Sequence, residues 1–191
     1  MTTASVVALL DANVLYPARL RDLLIRLAIA GSYQARWTEQ ILDECFTNLI
    51  TNRPDIPPAY LDRTRALMGV AVPDATVDGY DHLIVHLVLP DPDDRHVLAA
   101  AVVANAEVIV TSNLADFPAS VLAEHGIRAL SPDTFVHLLI DVDPEAVADV
   151  VDSQAADLKN PPKSTAQLLD GLEVVGLTKS VAALRAARNR R

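Results

Sequence analysis

"DDRHVLAAAVVANAEVIVTSN", residues Asp93–Asn113, sets a helix and a strand back to back. Its first part is an Ala- and Val-rich run, which reads as a helix of small residues able to pack closely on a sheet. "EVIVTS" (Glu107–Ser112) follows as an apolar run ending in a polar cluster, the pattern of a buried strand. Upstream, Val6–Leu10 is a second such strand, and it runs straight into an acid, Asp11. "YQARW" (Tyr33–Trp37) and "IRAL" (Ile127–Leu130) read as two further short strands. Strands alternating with helices predict an α/β fold, an α/β/α sandwich with a mostly parallel central sheet.

Between these strands the helical spacing is clear. Leu20, Leu23, Leu24 and Leu27 form one face of a helix that Gly31 ends, and Thr38 caps a second helix with Ile41, Leu42, Cys45 and Leu49 inside. "AYLDRTRALMGV" and "YDHLIVHLVL" read as helices flanking a weak strand near Ala75–Val77. From Ser131 the texture changes, with Ser131-Pro132 and Asp143-Pro144 each opening a helix. After "KNPPKS", two short helices follow around Ala166–Val175 and Lys179–Arg188, and no strand is expected beyond Leu130. The division expected is an α/β domain over 1–141 and an all-helical extension over 142–191, with Leu168, Leu169, Leu172, Val175 and Leu184 needing cover.

Composition narrows the function classes. The chain has 191 residues, 51% of them hydrophobic, enough for a packed core. Aromatics make up only 4%, too few for the stacking platforms of single-strand binders. The one cysteine, Cys45, forms no internal disulfide; it fits a reducing cytosol and reads as a buried, inert thiol. The short first apolar run resembles neither a signal peptide nor a membrane span, so a cytoplasmic location is expected. The net charge of −9 argues against coating nucleic acid by bulk electrostatics. Residues 1–130 hold 16 acids against 9 bases, all Arg, while Arg185, Arg188, Arg190 and Arg191 crowd the end.

Four acids have placements suited to chemistry. Asp11 ends a strand, Glu44 lies on the second helix, Asp94 heads the Ala-rich helix, and Asp116 follows "IVTSN". Taken singly, Asp94 can be a helix cap, Asp116 a turn former and Glu44 a surface residue. Asp11 has few such explanations, because an ionised acid at a buried strand end needs a partner. Together they sit where one end of a parallel sheet gathers residues. Oxygen ligands without His or Cys suit Mg²⁺ or Mn²⁺.

"LLDANVLYP", "WTEQILDECFTNL", "LPDPDDRHVLAAAVVANAEVIVTSNLADFP" and "LSPDTFVHLL" resemble the PIN-domain family, in particular the VapC-like toxin ribonucleases, over roughly residues 5–140. The resemblance implies Mg²⁺- or Mn²⁺-dependent hydrolysis of RNA, with Asp11, Glu44, Asp94 and Asp116 as catalytic and metal-holding residues. Asn113 stands where many members carry a further Asp, and Asp91 and Asp93 crowd Asp94. Either Asn113 or Asp116 is then the fourth direct ligand, to one metal or two. Asn13, Thr111, Ser112 and Asn113 are expected to orient the carboxylates. Arg19, Arg21 and Arg26 are candidates to meet RNA phosphates. The implied partners are RNA, a cognate antitoxin protein and a second copy of the chain in a homodimer, with no membrane.

Other readings fit less well. A haloacid-dehalogenase-type phosphatase needs Asp at position 13, where this chain has Asn13. A response-regulator receiver needs a Lys late in the domain, and residues 1–130 contain none. His82 and His86 have zinc-like spacing, but Leu83 replaces the glutamate of HExxH. The alternative from a different class is a catalytically weak PIN-like module acting through protein or RNA interaction.

Overall fold

Four parallel strands form one sheet in the computed structural model, which describes residues 6–188. They are β1 (Val7–Leu10), β2 (Gln34–Arg36), β3 (Val108–Val110) and β4 (Arg128–Leu130), in the order β2-β1-β3-β4. Leu9 lies opposite Arg36 on one side and Ile109 on the other. Ala8, Leu9, Leu10, Ile109 and Val110 are wholly buried, as expected of central parallel strands covered on both faces.

The chain leaves β1 through α1 (Ala12–Leu15) and α2 (Ala18–Ile29) toward β2. It then runs through α3 (Glu39–Asn52), α4 (Pro58–Ala71), α5 (Asp81–Ile84) and α6 (Arg95–Val103) to β3. From β3 it passes α7 (Ala119–Ala123) to β4 on the opposite edge. Right-handed crossovers in opposite directions place α2 on one face and α6 and α7 on the other. Helix α2 meets β2, while α6 meets β1 and β3. The strand order therefore reverses between β1 and β3, and the crevice outside their carboxyl ends is the place where such sheets bind ligands.

The C-terminal part is α8 (Pro132–Val142), α9 (Pro144–Asp157), α10 (Thr165–Val174) and α11 (Thr178–Arg188). Ser131 and Asp143 cap α8 and α9 as their sequences predict, accepting from Thr134 N at 3.2 Å and Ala146 N at 2.9 Å. Ser164 and Gln167 close a reciprocal capping box on α10. The cap of α11 comes from another helix: Asp133 of α8 accepts from the backbone N–H of Lys179 and of Ser180, each at 2.9 Å. Helices α9 and α10 pack on α2, and α11 packs on α8. Leu168, Leu169, Leu172 and Leu184 are buried there, and Val175 is partly covered.

Several expectations are corrected. The helix expected over "YDHLIVHLVL" is only the single turn α5, because Val85 and Val88 are exposed and leave no continuous inner face. The weak strand near Ala75–Val77 is one parallel bridge between Trp37 and Thr76. Helices α1 and α7 were not anticipated. Arg185 binds Asp170 and Glu173, and Arg188 binds Asp152, so these two cations are neutralised within the extension. Arg190 and Arg191, the last of the basic residues that crowd the end, lie outside the described residues. Among the described residues no helix is long and apolar enough to cross a membrane.

Candidate functional site

Asp11 directly follows β1, and Thr111 directly follows β3. The ladder continues into both, with Asp11 N donating to Val110 O at 3.1 Å and Thr111 N to Leu130 O at 3.0 Å. Asp11 is 4% exposed, and its charge is met by hydrogen bonds. Oδ1 accepts from Ala12 N at 2.7 Å; Oδ2 accepts from the Thr111 hydroxyl at 2.7 Å and from the Asn13 amide. Burial still holds the Asp11 carboxyl above its ordinary pKa, against those Thr111 and Ala12 bonds, with Glu44 adding repulsion.

Asn13 ties the two strand ends together. Its Nδ2 also donates to Thr111 Oγ1 at 3.0 Å, and its Oδ1 accepts from Ser112 N at 2.9 Å. Asn113 N donates to the same Thr111 hydroxyl at 3.0 Å. Of the four residues expected to orient carboxylates, Asn13 and Thr111 bond Asp11 through their side chains, while Ser112 and Asn113 contribute backbone N–H groups that hold Asn13 and Thr111.

A cavity of about 500 Å³ opens over this network, lined by Asp11, Asn13, Glu44, Asn48, Asp94 and Asn113 among others. Asp94 ends a 3-10 turn (Pro92–Asp94) and starts α6, yet its side chain makes no capping hydrogen bond. Asp91 takes the capping role in that turn, accepting from Asp93 N at 2.9 Å. Burial, with the Asp11, Asp91 and Asp116 carboxylates nearby, pushes Asp94 up to about 6. That mutual repulsion links Asp11, Asp94 and Asp116, although Asp116 does not line the cavity itself. Glu44 Oε1 lies 2.9 Å from His96 Nε2 and 3.4 Å from Gln40 Nε2. Among the described residues no three His, Cys, Asp or Glu side chains are set to close on a metal ion as they stand.

The arginines are elsewhere. Arg21 is 7% exposed; it donates to Leu15 O at 2.6 Å and Tyr16 O at 3.3 Å and lies over the Phe46 ring. It braces α1 and cannot meet a phosphate in this position. Arg26 binds Asp22 at 3.0 Å and Asp157 at 2.9 Å. Arg19 packs over Gly171 of α10, where a Cβ would come within 2.5 Å of its Nη1. Arg19 and Arg26 thus serve the joint between α2 and the C-terminal helices. The Cys45 thiol, as expected, is buried, and burial pushes its pKa up to about 11.

His96 was absent from the sequence candidates. It is 4% exposed and its Nδ1 is buried with no partner. Its one legible signal was its place two residues after Asp94.

Residues 7–115 match the PIN domain family, and residues 132–186 match the VapC50 C-terminal domain family. The second match takes in α8 together with the last three helices. Over 79 residues the chain is 46% identical to a protein of Mycobacterium tuberculosis named "Putative ribonuclease VapC50". That match covers 41% of this chain and 47% of that protein, so the chain spans about half the length of the curated relative it matches. No solved structure matches the chain significantly. With its first match running over more than half its length, and with the sheet order and strand-end acids described above, this chain belongs to the PIN-domain family.

Proposed function

We propose that the chain is a divalent-metal-dependent endoribonuclease, the toxin of a bacterial toxin–antitoxin pair. The observation that carries this reading is the group of carboxylates, Asp11, Glu44 and Asp94, that line one cavity at the β1/β3 switch point, where burial and acidic neighbours lift Asp94 to about 6. An all-oxygen donor set of neighbouring carboxylates fits Mg²⁺ or Mn²⁺ in its chemistry. Asp11, Asp94 and Asp116 would hold the cation, with Glu44 completing a second position, after small side-chain movements. When bound, the cation acidifies water and stabilises the charge that builds on the phosphate oxygens during in-line displacement.

The chain's own residues do the rest. Thr111 and Asn13 fix the Asp11 carboxylate, and the rigid strand ends hold it against α6. Asn48 and Asn113, on the cavity wall, offer amides to the sugar–phosphate backbone. The matched relative's name, together with the toxin family resemblance, supports RNA as the substrate and an antitoxin as the partner. A partner that places an Arg or Lys among the acids would offset their charge and block the cavity. Cytoplasmic location and homodimerisation belong to the same proposal.

End-group analysis tests the reaction class. RNA cut in Mg²⁺ or Mn²⁺ should carry a 5′-phosphate and a 3′-hydroxyl, because water attacks rather than the ribose 2′-hydroxyl. A 2′,3′-cyclic phosphate overturns the reading.

A further inference from the structure

We propose that His96 is a positioning residue, which ties the Glu44 carboxylate to the helix that carries Asp94. The inference rests on the nuclease reading above and deepens it. Glu44 sits on α3 with its side chain 40% exposed, and a glutamate so placed samples several rotamers in water. His96 removes that freedom. Its ring is buried, its Nε2 lies 2.9 Å from Glu44 Oε1, and Nδ1 has no partner among the described residues. Glu44 is therefore the polar contact that the ring makes.

Val97, Leu98, Ala99, Ala100 and Ala101 follow on α6 and are all 0% exposed, so His96 is the polar residue that opens an otherwise apolar buried run. A buried polar ring with one nitrogen unpartnered is a local cost, and it persists where the other nitrogen is used. Asp94 and His96 lie two residues apart, so the start of α6 presents one acid and orients another. Both polar contacts of Glu44, from His96 and Gln40, go to Oε1. Oε2 has no hydrogen bond among the described residues and remains for the cavity that Glu44 lines.

The test measures Mn²⁺ binding by electron paramagnetic resonance and RNA cleavage in parallel. His96→Leu should weaken Mn²⁺ binding or cleavage about 10-fold or more, the range typical of residues that orient ligands. His96→Gln, whose amide nitrogen reaches close to the place of Nε2, should restore most of the loss. His96→Asn, whose amide falls near Nδ1, should not. In a Glu44→Ala background, His96→Leu should add nothing. Gln and Asn variants that behave alike overturn the proposal, as does full activity in His96→Leu, whether or not the Leu variant folds well. Asp11→Asn in the same assay keeps the two readings apart. If Asp11→Asn binds Mn²⁺ and cleaves like the parent, the nuclease reading fails; if only His96→Leu does, the positioning role fails.

Discussion

The hydroxyl of Thr111, just past β3, donates to Asp11 Oδ2, just past β1, at 2.7 Å across 100 residues of sequence. This bond locks the two central strand ends to each other and holds a carboxylate that burial would otherwise disfavour. Thr111→Val keeps the shape and removes the donor. A hydrogen bond to a charged group contributes about 1.5–3 kcal/mol, and the variant should lose about that much in denaturant unfolding. A loss below about 0.5 kcal/mol would show that the bond contributes little.

Two acids give opposite pH signatures. Asp94 is raised to about 6 by burial and by its acidic neighbours. The folded state then binds more protons than the unfolded state between about pH 4 and 6, so this group lowers stability as pH rises through that window. Asp133 is lowered, because the Ser180 and Lys179 N–H groups and the Ser180 hydroxyl outweigh its burial. Its contribution is present above the ordinary carboxylate pKa and is lost as the medium is acidified. Metal-free Asp94→Asn should therefore melt higher than the parent at pH 7, with the difference shrinking toward pH 4. Equal melting temperatures of the two proteins across that range would contradict the cost of burying the Asp94 charge among other acids.

Asp133→Ala removes the cap that α8 supplies to α11. Loss of a helix cap costs about 1 kcal/mol. The effect should concentrate in α11, seen as faster hydrogen exchange over Thr178–Arg188 with little change in β1 and β3. Uniform acceleration across the sheet would mean that α11 does not open separately.

Removal of residues 142–191 should expose the face of α2 that α9 and α10 cover, where Arg19 meets Gly171 and Gln154 donates to Arg19 O at 3.0 Å. The truncated protein should aggregate or unfold at lower denaturant while keeping all four acids. A monodisperse truncated protein with unchanged RNA cleavage would make the C-terminal helices a passive appendage.

How far the sequence carried these conclusions varied with the distance over which each signal acts. Asp11 and Thr111 were legible because a polar residue ending an apolar strand is a local pattern, and parallel sheets gather such ends. The caps at Thr38, Ser131 and Asp143 were legible for the same reason. Arg21 was misread because what buries it, including Phe46, lies 25 residues on, and helical spacing alone places an Arg on the surface. The pairing of His96 with Glu44 crosses α4 and α5, and no periodicity reports it. The span at Tyr80–Leu89 failed because its apolar residues divide between core and solvent, with Leu87 and Leu89 inside and Val85 and Val88 outside.

RNA cleavage by the purified chain and by Asp11→Asn, each with Mg²⁺ or Mn²⁺ and with EDTA, bears most directly on the acidic cleft. Asp11 is the most buried of the four acids, and an amide whose oxygen faces Thr111 keeps that contact while losing the charge and the bond from Ala12 N. Cleavage should be strong in the parent with metal and absent in EDTA. In Asp11→Asn it should fall by at least 100-fold, with thermal stability equal to or above the parent. Cleavage by Asp11→Asn at the parent's rate, or undiminished cleavage in EDTA, would contradict the account.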